Sequence, residues 1–206
     1  MPNNRSIDAG RLNEPVEILA LRETEPTVWA YVPAGRAWAA ITLSEGRNLF
    51  SQVGVGARDA AVVLRRVPLT LGRVLRWRGG VLWPTSIVPM GRGHLEVHAA
   101  VVRVCRCRAT RTENTLGEGN RAVPKTVMEV SFPGVLTERY SRYAREETHA
   151  EVETGYVLVT GKPIRLEPGD LVAVLDGTAP GTYAVEAVHI LDEHKNEYEM
   201  SRRGDV

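Results

Sequence analysis

The chain has 206 residues, 43% of them apolar and 25% charged, enough to bury a core as one large or two small domains. No run approaches the ~20 consecutive apolar residues of a membrane span, and the opening MPNNRSIDAGRLNEP lacks the apolar centre of a secretory signal, so the chain is expected to be made in the cytoplasm and not exported. The formal charge of +1 conceals a split: residues 1–113 carry 16 arginines, no lysine and nine acids, whereas residues 114–206 carry ten basic residues and 16 acids, a polarity that suits backbone contact with nucleic acid or complementary neighbours in an assembly.

Strand signals dominate the first half: residues 15–21 (PVEILAL), 37–43 (AWAAITL), 60–67 (AAVVLRRV), 73–79 (RVLRWRG), 81–90 (VLWPTSIVPM) and 94–107 (HLEVHAAVVRVCRC). They are rich in Val, Ile, Leu and Trp and separated by Gly, Pro or polar breaks, at the spacing of an all-β sandwich or barrel. Between them, residues 44–60 (SEGRNLFSQVGVGARDA) carry Gly46, Gly54 and Gly56 and read as a long loop with at most one helical turn. Its VGVGAR has neither the third glycine of a dinucleotide fingerprint nor the GK[ST] ending of a P-loop, so a mobile loop is expected there. Gly79-Gly80 reads as a hairpin turn whose two central residues take positive φ. Residues 1–108 are thus expected to form one small β domain.

His94 and His98 with Cys105 and Cys107 form H-x3-H and C-x-C spacings. On a strand the histidines stand about 13 Å apart, and C-x-C is not the C-x2-C knuckle of structural zinc sites, so no metal site is expected. The two cysteines share one strand face, a poor arrangement for a disulfide, and read as reduced thiols packed as small hydrophobes.

Residues 109–126 (ATRTENTLGEGNRAVPKT) are polar, carry Gly117, Gly119 and Pro124, and read as a linker. Strand signals resume at 127–132, 151–161, 170–177, 181–191 and 196–202. One segment differs: VLTERYSRYAREETHAE (135–151) places Leu136, Tyr140 and Tyr143 at helical spacing and predicts a helix of about three turns. Residues 127–206 are expected to form a second β domain. The order of events is similar in the two halves, a first strand, a polar excursion, a strand ending in a turn, a Gly-bearing hairpin and a charge-rich closing strand, which reads as two copies of one small β unit alike in pattern and hardly in identity. The expected fold is mainly β, with two small barrels or sandwiches, a long loop in the first and one helix in the second.

Chemistry is sparse. Paired acids such as Glu146-Glu147 and Asp192-Glu193 sit in charge-rich, solvated stretches, and no Ser, His and Asp arrangement has a nucleophile elbow, so neither an enzyme nor a cofactor is expected. Arg47, Arg58, Arg65, Arg66, Arg73, Arg76 and Arg78 cluster along the first domain and imply a basic face or rim, although in a chain with three lysines they also fit an ordinary solvated surface. Without a helix-turn-helix, zinc finger or aromatic platform pattern, any nucleic-acid contact is expected to be with the backbone.

The succession IDAGRLNEPVEIL, TVWAYVPAGRAWAAITLSEGRN, RDAAVVLRRVP and the hairpin VLRWRGGVLWPTSIVP with a closing strand resembles the head-tail joining family of long-tailed bacteriophages, the head-closure or stopper proteins. Gly10-Arg11-Leu12, Val16 to Leu19, Trp38-Ala39-Ala40-Ile41, Ser44-Glu45-Gly46-Arg47 and Gly79-Gly80 stand in the family's places, in order, over residues 7–107. Family members are about half this length, so the second half is an addition or a diverged second copy, and the family's arginine-tyrosine ending of the third strand appears here as Arg65-Arg66. The resemblance implies a structural protein of the virion neck, a homo-oligomeric ring assembled on a portal or adaptor protein. It would close the DNA-filled head and offer the attachment surface for a tail terminator or tail tube protein, touching packaged DNA by non-specific backbone contact and no membrane. On this reading Arg47, Asn48, Phe50 and Arg58 belong to a loop facing the channel or a neighbour, and Arg65, Arg66, Arg76, Arg78, Tyr140 and Tyr143 are candidate subunit-interface residues. The alternatives are a cytoplasmic nucleic-acid-binding β protein, a tail terminator or other tail-ring component, and an uncharacterised enzyme.

Overall fold

A computed structural model describes residues 11–47, 58–116, 121–141 and 153–203. Most of them lie in twelve strands: β1 (Glu14–Glu25), β2 (Val28–Arg47), β3 (Arg58–Arg65), β4 (Arg73–Trp77), β5 (Gly80–Met90), β6 (His94–Val102), β7 (Cys105–Leu116), β8 (Ala122–Ser141), β9 (Glu153–Gly161), β10 (Leu171–Val174), β11 (Gly181–His189) and β12 (Lys195–Arg203). The protein is mainly β. Its contacts divide into two units, Met1–Arg22 with Tyr31–Arg103, and Glu23–Ala30 with Val104–Val206.

The first unit is a closed ring of six strands in the order β1-β4-β5-β6-β3-β2, with β2 paired back to β1. Side chains alternate between core and solvent because successive residues of a strand point to opposite faces. In β3, Ala60, Val62 and Leu64 are buried while Arg58 and Arg65 at its ends are exposed. The interior gathers Val16, Ile18, Ala39, Val62, Leu64, Leu75, Leu82, Leu95 and Val97, and Val67 and Leu69 from the connection after β3 pack against it. Burying this set at roughly 25 cal/mol per Å² is the main favourable contribution to folding of the unit.

The second unit repeats the ring strand for strand, β7-β10-β11-β12-β9-β8 with β8 paired to β9. Replacing β1 to β6 by β7 to β12 converts one order into the other. The match extends to single residues. In the first unit the β5–β6 ladder is irregular between Pro84 and Ser86, where Pro84 faces Ala99 and Ser86 faces His98. In the second the β11–β12 ladder is irregular between Val185 and Ala187, where Val185 faces Met200 and Ala187 faces Glu199. Each ladder therefore has one extra residue, Thr85 and Glu186, at the same place, a β-bulge that sharpens the local twist a small barrel needs. After the third strand comes Pro68-Leu69-Thr70-Leu71 in one unit and Pro163-Ile164-Arg165-Leu166 in the other.

Gly134 marks the pivot of the second ring. It faces Cys105 on β7 and Thr160 on β9, so the long β8 turns there from one neighbour to the other. A Cβ on Gly134 would lie 2.8 Å from Leu158 Cδ1 and 3.4 Å from Cys107 Sγ. In the first ring Ala39, facing Leu64, holds the corresponding position and is fully buried. Both barrels therefore place a minimal side chain where the second strand bends.

The second interior is more polar. Thr160 and Asn196 face each other across β9–β12 where Leu64 and Leu95 face each other across β3–β6. Asn196 Nδ2 donates to the carbonyls of Lys162 and Ile164, and the Tyr198 hydroxyl donates to Ile164 O and accepts from the Leu166 amide, which ties down the connection between β9 and β10. Asp170, 1% exposed, accepts from Arg111 Nε and Nη2 and from the Glu167 amide.

Five expectations from the sequence are corrected. The proposed linker at 109–126 is mostly β7 and β8, with Thr110 facing Glu129 and Thr115 facing Val123; residues 112–115 are exposed, so no apolar alternation marked the ribbon. The division between units falls at Arg103/Val104, and Cys105 to Arg108 begin the second ring. The helix predicted from Val135 is strand as far as Ser141, because pairing with β9 satisfies that backbone; residues 142–152 lie outside the described residues. Of the loop expected over 44–60, residues 44–47 belong to β2 and 58–60 to β3, with Arg47 opposite Arg58, and residues 48–57 lie outside the described residues. The hairpin turn is centred on Arg78 (φ 48°) and Gly79 (φ 78°), with Gly80 already in β5. This is the pattern of a type I′ turn with an arginine in its first left-handed position.

Two variants test the second barrel. Gly134→Val overpacks the pivot and is expected to lower unfolding stability by about 1–3 kcal/mol in urea titration, with the far-ultraviolet signature of the folded protein retained. Asp170→Ala takes the buried acceptor from Arg111, which keeps its ion pair with Glu167, and from the Glu167 amide, and is expected to cost about 1–3 kcal/mol in the same measurement.

Candidate functional site

The outward face of β1, β2 and β4 carries most of the charge chemistry of the first barrel. Glu17 and Arg76 face each other across the β1–β4 ladder and form an ion pair, and Arg36 Nε lies 3.9 Å from the same carboxylate. Glu14 accepts from Trp77 Nε1 (2.9 Å) and from Arg78 Nε (3.2 Å) and Nη2 (2.5 Å). The Arg78 guanidinium also stands 4.9 Å from the centre of the Trp77 ring. These contacts offset the strain of a left-handed arginine. The Trp77 N–H, and then Arg78, hold the Glu14 carboxyl below its ordinary value.

Alternation decides where Trp38 points. Ala37, Ala39 and Ile41 turn toward the core, so Arg36 and Trp38 turn outward, and Trp38 is 59% exposed. Its ring separates two shallow grooves. One of about 570 Å³ is lined by Leu12, Arg36, Ala37, Trp38, Arg65 and Val67. The other, about 430 Å³, shares Arg36, Ala37 and Trp38 and is completed by Pro15, Val16, Glu17 and Arg76. Arg65 is exposed and makes no ion pair among the described residues. The result is an apolar floor and an aromatic wall under a rim of three arginines and one glutamate.

The sequence candidates fall in several places. Arg65 borders the groove; Arg66 is exposed and its amide donates to Gly93 O at 2.8 Å. Arg76 and Arg78 are engaged by Glu17 and Glu14 of their own barrel. Arg58 is exposed at the start of β3, and Arg47 faces it in the ladder. Asn48, Phe50 and Tyr143 lie outside the described residues, and Tyr140 faces Thr154 in the β8–β9 ladder. The structure thus brings Arg65 and Arg76 to the two grooves that share Trp38 and does not gather the others with them.

Sequence reasoning missed Trp38 as a surface residue, the two glutamates, and the exposed tip Ile190-Leu191. The i, i+2 parity of Arg36 and Trp38 beside two inward alanines was the available signal for the first. Cys105 and Cys107 are free and buried, their sulfurs 3.7 Å apart. Their mutual hydrogen bond lowers the first thiol's pKa and, with burial, raises the second's. No cluster of three or more His, Cys, Asp or Glu able to hold a metal ion occurs among the described residues, and none of their helices is long and apolar enough to cross a membrane. No family model matches the chain, and neither curated proteins nor solved structures provide a match.

The Glu14 contacts make a pH prediction. A carboxyl depressed in the folded state contributes stability above its unfolded pKa, near 4.5, that is lost as pH falls through the lower folded value. The Trp77 indole N–H resonance should therefore titrate with a midpoint below 4.5, and Glu14→Gln should abolish that titration without unfolding the barrel.

Proposed function

We propose that the chain is a structural component of a phage neck, a subunit of a ring between portal or adaptor and tail that helps to close the filled head. The observation that carries this reading is that the family-like elements map onto one closed barrel. Leu12 precedes β1, Trp38 to Ile41 form the middle of β2, Ser44 to Arg47 end it, Arg65 ends β3 with Arg66 directly after it, and Gly79-Gly80 lie at the β4–β5 hairpin. A closed barrel leaves no free strand edge, so subunits of this kind associate through side-chain surfaces and loops. The charge split supplies surfaces of opposite sign for neighbouring copies. An isolated chain is then expected to be a monomer or weak oligomer that closes into a ring on its portal or adaptor template.

A second reading is favoured by Trp38 alone: an exposed ring among arginines is also a stacking platform for single-stranded nucleic acid. The two readings separate by experiment. Mass spectrometry and cryo-electron microscopy of purified particles from the encoding phage should find the chain in the neck, and its absence from particles would reject the neck role. In the same particles, reversing Arg58 to Glu should leave the barrel folded and yield filled heads without tails, or heads that lose their DNA. Tight binding of a short oligonucleotide by the free monomer, resistant to salt, would instead favour the second reading.

A further inference from the structure

The two barrels differ most where one carries an anchor and the other a receptacle. The turn between β5 and β6 is Gly91-Arg92-Gly93, small and polar. Its counterpart between β11 and β12 is Ile190-Leu191-Asp192-Glu193-His194, in which Leu191 is 98% and Ile190 56% exposed. This tip is held in shape. Lys162 Nζ donates to the carbonyls of Ile190 (2.6 Å) and Asp192 (2.5 Å), and Asp192 Oδ1 accepts from the amides of His194 and Lys195. A preformed turn that presents two large aliphatic side chains to water resembles the anchor of an interface, because little ordering entropy remains to be lost on binding. Glu193 beside it is exposed and makes no ion pair among the described residues.

The receptacle is the groove beside Trp38. Its floor of Leu12, Ala37 and Val67 suits an aliphatic side chain, and Arg36 and Arg65 on its rim suit Asp192 and Glu193. At the corresponding place in the second barrel Pro133 stands one residue before the Gly134 pivot, as Trp38 stands one before Ala39, so the aromatic wall is missing there. We propose that the Ile190–Glu193 tip of one copy docks in the Trp38 groove of the next copy, making a head-to-tail contact. The charge match argues for a second copy as occupant, since the anchor lies in the acidic half of the sequence and the groove in the basic half. Anchor and groove are different surfaces, so the contact is heterologous and propagates into a ring or a filament. The choice of a second copy over another acidic protein rests on the ring reading. One tip buries little area, so a single contact is weak and gains strength when a template holds several copies together.

Cysteine cross-linking of the full chain detects such a contact even when it is weak. A Leu191→Cys chain mixed with an Arg36→Cys chain, whose thiol stands on the exposed rim of the groove, should form disulfide-linked dimers about tenfold or more faster than with a chain carrying Arg92→Cys, a surface control in the first barrel. Arg65→Glu in the Arg36→Cys partner should slow the reaction toward the control rate, and Glu193→Arg in the Leu191→Cys partner should restore it. Cross-linking no faster than the control, or indifferent to Arg65→Glu, overturns the proposal. So does a short single-stranded oligonucleotide that binds the groove while the Leu191→Cys chain cross-links only at the control rate. Failure here in a chain found in particle necks removes this contact and keeps the neck role, whereas success in a chain absent from particles keeps the contact and removes the neck role.

Discussion

Closure of each six-stranded ring is the constraint on which the other features depend. A ring this small must coil tightly, and its interior is narrow. That is why the core is built from Val, Leu, Ile and Ala, why a bulge recurs at Thr85 and Glu186, and why Ala39 and Gly134 stand where the second strand bends. Closure also decides which side chains are free to act. With every strand paired on both sides, the barrel offers partners its outward residues, its turns and its connections, and the groove at Trp38 and the tip at Leu191 are features of these kinds.

The same backbone plan has been filled in two ways. The Leu64–Leu95 pair of the first interior is replaced in the second by Thr160–Asn196, which together with Tyr198 fastens the β9–β10 connection through backbone carbonyls. Buried polar groups are costly unless paired. Here Asn196 Nδ2 is satisfied twice, whereas its Oδ1 has no partner. On the outside, the first barrel has a glycine-rich turn and an exposed tryptophan among arginines, and the second an aliphatic, acidic tip. One architecture thus presents two different faces.

Much of the fold was legible because half-buried strands announce themselves by alternation. Residues 60–67, 81–90 and 181–191 read as strands and are strands over most of their length. Where both faces of a ribbon are wet, as at Thr112 to Thr115, the alternation vanished and a linker was inferred instead. The stretch from Leu136 carries a helical spacing of large residues, but as far as Ser141 the non-local pairing of β8 with β9 overrides it. Of the candidate site, the arginines could be counted in the sequence but their engagement could not. Only the fold shows that Arg76 and Arg78 are held by Glu17 and Glu14, residues about sixty positions away, and that Arg65 remains available.

Closure itself is tested most directly by amide hydrogen exchange on the full chain, read strand by strand. In a closed ring the seams have no free edge. Amides along β1–β2, and along β8–β9 where Gly134 to Ser141 face Glu153 to Thr160, should then be protected as strongly as those of the β3–β6 and β11–β12 ladders. Exchange at either seam several orders of magnitude faster than in those ladders would show an open sheet with edge strands and would contradict the two-barrel architecture.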